Sequence, residues 1–73
     1  MATAVSVPHV ARIGEIAGVV WNTLNREGQM SLTALVKAIG EPRDLVMQAV
    51  GWLAREDKVW IEEDGRTRMI SLR

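Results

Sequence analysis

The chain contains no cysteine, no tyrosine and no phenylalanine, and its one histidine is His9. The absence of cysteine excludes a disulfide framework and a thiolate-bound metal site. Its 73 residues allow one domain, and a domain of this size buries only about 60% of its unfolded surface. Additional stability must therefore come from good helix packing or from self-association.

The chain has no excess of either charge, because its nine Lys and Arg residues balance its nine Asp and Glu residues. Any nucleic-acid binding must then depend on where the charges lie, since the usual basic surplus is lacking. No apolar run approaches the roughly 18–20 residues that cross a membrane. Residues 1–8 lack the basic start of a secretory signal. We therefore expect a cytoplasmic protein with a flexible segment at 1–8 and one domain at 9–73.

Catalytic motifs are also lacking. The six glycines form neither GxGxxG nor a GxxxxGK phosphate loop. The acidic run Glu62, Glu63 and Asp64 lacks the alternating spacing of a calcium loop and is typical of a solvated turn. Glu56 and Asp57 are adjacent, so on a helix their carboxylates point to different sides. These absences predict a protein that is not an enzyme and that has no cofactor, no metal and no small-molecule substrate.

Apolar spacing and helix-ending residues predict helices over residues 8–26, 32–39 and 42–56. Pro8 and Pro42 suit the first helical position, where the missing N–H is not needed. The predicted ends are marked by Ser31 as an N-cap and by Gly28 and Gly40 as stops. The residues predicted to face the core are Ile13, Ile16, Ala17, Val20 and Leu24 in the first helix, Leu32, Leu35, Val36 and Ile39 in the second, and Val46, Ala49, Val50 and Leu53 in the third.

Two strands are predicted over residues 59–63 and 67–72, joined by the tight-turn signal Asp64-Gly65. A two-residue turn at that pair would place Glu63 opposite Arg66 and Trp60 opposite Met69. Alternation would then put Val59, Ile61 and Ile70 on one face of the hairpin, and Trp60 and Met69 on the other. The extended link near Met30 leaves room for a short third strand. Three helices followed by a small hairpin predict a mainly α fold, the winged helix-turn-helix.

Several stretches of the chain also resemble a known family. The sequence QAVGWLAREDKV, at residues 48–59, resembles the signature of a family of small winged helix-turn-helix proteins from bacteria and archaea. Residues 14–21 resemble the first helix of that family and residues 31–35 its second, so the resemblance covers roughly residues 10–72. The acidic tip at residues 63–65 also fits the family. The resemblance implies the same fold, whereas the function of the family is undescribed and a fold does not fix a function.

In a winged helix that binds DNA, the third helix enters the major groove and the wing touches phosphate or the minor groove. The candidate nucleic-acid contacts are Lys37, Arg43, Met47, Gln48, Arg55, Arg66 and Arg68. Gln48 suits an adenine edge and Arg43 suits guanine or phosphate, although each residue taken alone is more typical of a solvated surface. The acidic wing tip and Asp44 oppose phosphate binding.

A second group of residues predicts self-association. Gly14, Gly18 and Trp21 share one side of the first helix, and Trp60 and Met69 share the outer face of the hairpin. A helical glycine costs about 1 kcal/mol relative to alanine, so two of them indicate the close approach of another backbone. That backbone belongs either to a second copy or to the chain's own hairpin or N-terminal segment. Trp52 is expected to pack under the hairpin in the core, with a place in the same interface as the alternative.

The leading functional prediction is a DNA-binding transcriptional regulator that acts through its third helix as a homodimer. Its predicted partners are duplex DNA and a second copy of the chain. The alternative prediction is a protein-interaction module that does not bind nucleic acid.

Overall fold

Residues 9–73 of the computed structural model form three helices and three strands in the predicted order. The helices are α1 (His9–Glu27), α2 (Leu32–Ile39) and α3 (Arg43–Arg55), and the strands are β1 (Met30–Ser31), β2 (Val59–Asp64) and β3 (Thr67–Leu72). The mainly helical fold and the short third strand are thereby confirmed. The predicted flexible segment at 1–8 lies outside the described residues.

Local hydrogen bonds explain where α2 begins and ends. The Ser31 hydroxyl accepts a hydrogen bond from the Ala34 N–H at 3.1 Å, as an N-cap residue should. Gly40 ends the helix with a φ of 79°, and its N–H donates to the Val36 carbonyl at 3.0 Å. The two predicted end signals of α2 are therefore confirmed.

Pro42 does not occupy the first helical position of α3, contrary to the prediction. Its ψ of 141° is extended, and it precedes the helix as the cap. The Pro42 carbonyl accepts a hydrogen bond from the Val46 N–H at 3.1 Å, which is the first bond of the helix. As a result, Arg43 is the first helical residue.

The core lies where α1 packs against α3, closed on one side by α2 and the sheet. Its buried apolar side chains are Ile16, Ala17, Val20 and Leu24 of α1, Leu32 and Leu35 of α2, Leu45, Val46, Ala49, Val50 and Leu53 of α3, and Val59 and Ile70 of the sheet. The predicted stripes are confirmed, although Ile13, Val36 and Ile39 are only partly buried. Trp52 is 38% exposed, so its expected place in the core is wrong.

The strand order is β1-β3-β2, with all neighbours antiparallel. The predicted hairpin register is wrong, because Asp64 still pairs with Thr67 and the turn residues are Gly65 and Arg66. Only Gly65 takes a positive φ, 65°, as in turns with glycine at the first central position. Asp64 therefore remains in the strand instead of entering the turn.

The register correction changes the partners in the hairpin but preserves its faces. Trp60 lies opposite Ser71 and Met69 lies opposite Glu62, so Trp60 and Met69 are diagonal neighbours rather than a direct pair. Each residue has moved by two positions relative to its predicted partner, and strand side chains alternate with a period of two. For this reason the buried residues Val59 and Ile70 still share one face.

Candidate nucleic-acid interface

A shallow cavity of about 270 Å³ lies where the first turns of α2 and α3 meet the wing tip. We call it the arginine cleft, because Arg43 of α3 lines it together with Arg66 and Arg68 of the wing. Its other lining residues are Leu32, Thr33, Glu63, Gly65 and Thr67. The fold thus gathers three candidate residues that the sequence places on two separate elements.

The arginine cleft carries an excess of positive charge in a chain of zero net charge. Three arginines and one acidic residue, Glu63, are found among the described residues that line the cavity. The N-terminal ends of two helices add partial positive charge on the same side. Local geometry therefore supplies the attraction for an anion that the overall composition lacks.

Glu63 and Arg68 form an ion pair within the cleft. The Glu63 Oε2 lies 3.3 Å from the Arg68 Nε, and both side chains are largely exposed. An exposed pair of this kind contributes little to stability. It uses only the Nε of Arg68, so the Nη groups remain able to donate hydrogen bonds to a ligand.

The other two acidic residues of the wing lie on the opposite face of the sheet. Glu62 and Asp64 line a depression together with Gln29, Met69 and Glu63, and neither Glu62 nor Asp64 lines the arginine cleft. The alternation of strand side chains puts Glu62 and Asp64 on the face opposite Glu63, which borders both cavities. The acidic wing therefore directs only one of its three carboxylates toward the cleft.

Gln48 is tied to the start of α1. The Nε2 of His9 lies 3.0 Å from the Oε1 of Gln48, so the imidazole N–H donates to the side-chain amide. Gln48 and Trp52 follow each other by one turn on the side of α3 that faces α1, whereas Arg43 and Met47 follow each other on the side that faces the wing. Reading a base with Gln48 would require the bond to His9 to break.

The remaining candidates do not line the cleft. Lys37 is exposed in the last turn of α2, and Met47 is partly buried. Arg55 is exposed in the last turn of α3, beside Trp52 and Glu56. Among the seven predicted contacts, the structure brings together Arg43, Arg66 and Arg68 and leaves the other four separate from them.

Sequence reasoning missed the role of Glu63 as the partner of Arg68. The wrong turn position placed Glu63 opposite Arg66, whereas the true register places it opposite Arg68. The signal that would have found the pair is the glycine itself, since Gly65 fits the first central position of a turn as well as the second.

A second open feature lies between α1 and α3, and we call it the glycine groove. It has a volume of about 320 Å³ and is lined by Gly14, Gly18 and Trp21 of α1 and by Trp52 of α3. Trp21 is 37% exposed and Trp52 is 38% exposed. A Cβ atom added at either glycine would meet nothing within 4 Å in the described part of the chain. The hairpin therefore does not cover these glycines, contrary to one of the two explanations considered from the sequence.

Trp60 lies on a different surface and has a partner within the chain. Trp60 is 52% exposed, and the guanidinium of Arg73 lies 4.1 Å from the centroid of its ring. Arg73 also pairs with Asp57 at 3.2 Å, and its N–H donates to the Lys58 carbonyl. The five predicted interface residues thus fall on two separate surfaces: three line the glycine groove, and Trp60 and Met69 lie on the outer face of the sheet.

None of the helices in residues 9–73 is long and apolar enough to span a membrane.

The sequence matches a family model described as winged helix-turn-helix domain (DUF2582) over residues 9–72. It is also 37% identical over 65 residues to the uncharacterized protein MJ1608 of Methanocaldococcus jannaschii, an alignment that covers 85% of this chain and 91% of that relative. The matched segment begins with α1 and runs into the last strand, so it includes the whole helix-turn-helix and the wing. The chain therefore belongs to this winged helix-turn-helix family.

Proposed function

We propose that the protein binds duplex DNA through the arginine cleft and acts in the cytoplasm as a homodimeric transcriptional regulator. Winged helix-turn-helix domains commonly bind DNA, but function must be argued from the site rather than from the fold. The observation that carries the proposal is the convergence of Arg43, Arg66 and Arg68 on one cavity.

The arrangement suits a DNA backbone that passes between α3 and the wing. Arg66 and Arg68 would bind phosphate oxygens, with the Thr33 hydroxyl as a further donor at the start of α2. Arg43 begins α3 and would enter the major groove first, where arginine reads guanine or binds phosphate. Phosphate contacts supply non-specific affinity, and base contacts from α3 would supply the preference for a sequence.

A dimer would bind DNA more tightly than a single domain. Three phosphate contacts give a slope of log K against log salt of about −3, which corresponds to weak binding. Two clefts on one duplex would give a slope of about −5 and a correspondingly higher affinity at low salt. The exposed tryptophans of the glycine groove support self-association.

We infer that the protein has no catalytic role, since winged helix domains are typically not enzymes. The glycine groove favours a second candidate function, a protein-interaction module without nucleic acid. Exposed apolar surface of this kind marks an interface, whatever the chain does at its arginine cleft. The two functions differ in one respect, namely whether the arginines of the cleft bind DNA.

The test is a titration of the full chain against random duplex DNA at several salt concentrations. Arg43→Ala and Arg66→Ala should each weaken binding uniformly across sequences and reduce the salt slope by about one for each subunit's cleft. Arg26→Ala is the matched control, because Arg26 pairs with Glu27 at the end of α1 and does not line the cleft. Equal losses in all three variants, or no salt-dependent binding by the parent, would favour the interaction module.

A further inference from the structure

We propose that the glycine groove is the surface on which two copies of this chain meet, with Trp21 and Trp52 of each copy packed over the glycines of the other. The inference rests on the homodimer in the proposed function and identifies its interface. It also adds Trp52, for which the interface was the alternative to the core, and excludes the outer face of the hairpin.

The groove has the shape that a contact between identical copies requires. Gly14 and Gly18 leave a depression without side chains, and two exposed indole rings project beside it. A two-fold contact joins the same patch on both subunits, so that patch must carry both the projecting and the receiving parts. A groove lined by glycine on α1 and by tryptophan on both helices meets this condition.

The charges at the edge of the groove are also self-complementary. Glu56 and Lys58 line one end, and the Lys58 Nζ lies 3.6 Å from the Glu56 Oε1 within the chain. A two-fold axis reverses the order of these charges in the second copy. Each lysine can then face the glutamate of the other copy, whereas a groove edged by one sign of charge would repel its own copy.

Packing within the chain does not account for the two glycines of α1. Glycine is the least favourable residue for a helix interior except proline. A Cβ at position 14 or 18 would meet no described atom within 4 Å outside its own helix backbone, and the same is true at Gly51 of α3. What distinguishes Gly14 and Gly18 is that they line a groove beside two exposed tryptophans, where the missing side chains leave room for the close approach of another backbone.

The outer face of the hairpin is the weaker candidate for the interface. The guanidinium of Arg73 already covers one face of the Trp60 ring. Met69 lies between acidic residues of the wing, next to Glu62 and Asp64. Two such faces brought together would place carboxylates of like charge against each other, which opposes association.

A dimer through the glycine groove leaves both arginine clefts open. The two features have no lining residue in common: the cleft uses the first turns of α2 and α3 and the wing tip, and the groove uses α1 and the second half of α3. DNA binding and self-association can therefore be lost separately. This separation allows the interface and the proposed function to be tested independently.

The experiment compares Gly18→Gln with Gly51→Gln by sedimentation equilibrium of the full chain without DNA, with thermal unfolding at micromolar concentration. Both glycines are helical and exposed, and a Cβ at either meets no described atom within 4 Å, but only Gly18 lines the groove. Gly18→Gln should raise the dimer Kd by about 30-fold or more, the factor for loss of one important interface contact. Gly51→Gln should leave the Kd unchanged, and both variants should remain folded.

Two results would overturn the interface. One is a parent chain that is monomeric at high micromolar concentration. If, in addition, Gly18→Gln alone made residues 1–8 of that monomer sensitive to protease, residues 1–8 of the same chain would be the occupant of the groove. The other is a parent dimer that Gly18→Gln and Trp52→Gln leave intact. Neither result tests DNA binding by the arginine cleft. That part of the proposal would be contradicted by a chain that dimerises as expected but does not bind DNA.

Discussion

Glu63 and Arg68 face each other across the wing hairpin, with the Glu63 Oε2 3.3 Å from the Arg68 Nε. The adjacent Glu62 points to the opposite face of the same sheet. Two neighbouring glutamates of the wing therefore have different electrostatic relations to the arginine cleft. This difference makes them a matched pair for testing which face binds DNA.

Removing the charge of Glu63 should strengthen the binding of random duplex DNA. The repulsion between a carboxylate and a DNA phosphate about 6 Å apart in water has an energy that corresponds to about a threefold change in affinity. Glu63→Gln should therefore raise the affinity for DNA by about that factor at low salt. Glu62→Gln, on the far face, should have a smaller effect. Fluorescence anisotropy of labelled duplex at low and high salt provides the measurement. A larger gain in affinity from Glu62→Gln would place the DNA on the outer face of the wing and contradict binding at the arginine cleft.

Gln48 should contribute to sequence preference and not to general affinity. If α3 lies in the major groove, Gln48→Ala should relax the preference at one base position and change binding to random DNA little. The hydrogen bond from His9 competes with this role, so His9→Ala should leave or sharpen the preference. Selection from a randomised duplex library would reveal both effects. If Gln48→Ala has the same selected sequences as the parent, Gln48 does not read a base.

Leu53→Ala should destabilise the domain strongly. Leu53 is 3% exposed in the cluster that joins α1, α3 and the sheet. Truncation of a buried leucine costs about 2–5 kcal/mol, which approaches the roughly 3–5 kcal/mol that the core of so small a domain supplies. Leu53→Met conserves volume and should cost less than about 1.5 kcal/mol. Urea unfolding measures the difference, and equal effects of the two substitutions would contradict the assigned packing.

Two glycines should respond to alanine with opposite signs. Gly40 ends α2 with a φ of 79°, a conformation that costs an alanine about 1–2 kcal/mol. Gly51 lies inside α3 in open space, so Gly51→Ala should stabilise the domain by about 0.4–1 kcal/mol. Thermal unfolding of the two variants at equal concentration gives the comparison. A loss of stability in Gly51→Ala would indicate a contact that the structure of one chain does not contain.

The helices were predictable because their ends depend on neighbouring residues. The hydroxyl of Ser31 reaches an N–H only three residues away, and Gly40 adopts the left-handed conformation within its own turn. Pro42 was placed one residue too far inside α3, because proline is compatible with both the cap and the first helical position.

The hairpin register was less accessible to sequence reasoning. A glycine with positive φ fits either central position of a tight turn, and its choice between them moves every partner in the hairpin by two residues. The faces of the strands were still predicted correctly, because a shift of two preserves the alternation. For this reason Trp60 and Met69 share a face without lying opposite each other.

The candidate site could be predicted only in part, because it depends on how distant elements pack. The helical pattern predicts that Arg43 and Gln48 both point outward from α3. In the structure, Arg43 faces the wing and Gln48 faces His9. The place of Trp52 has the same cause. Trp52 is one position off the buried stripe of α3, and at that position its side chain lines the groove against α1 instead of entering the core. No pattern within a single helix distinguishes these outcomes.

The most direct test of the arginine cleft is an NMR titration of the ¹⁵N-labelled chain with a short random duplex at low salt. We expect shift changes at the backbone amides of Thr33, Arg43 and residues 65–68, with the same pattern for unrelated duplex sequences and with losses as salt is added. We expect little change at Trp60 and Met69, on the outer face of the sheet. Changes concentrated on that outer face, or no change at any amide, would contradict DNA binding through the arginine cleft.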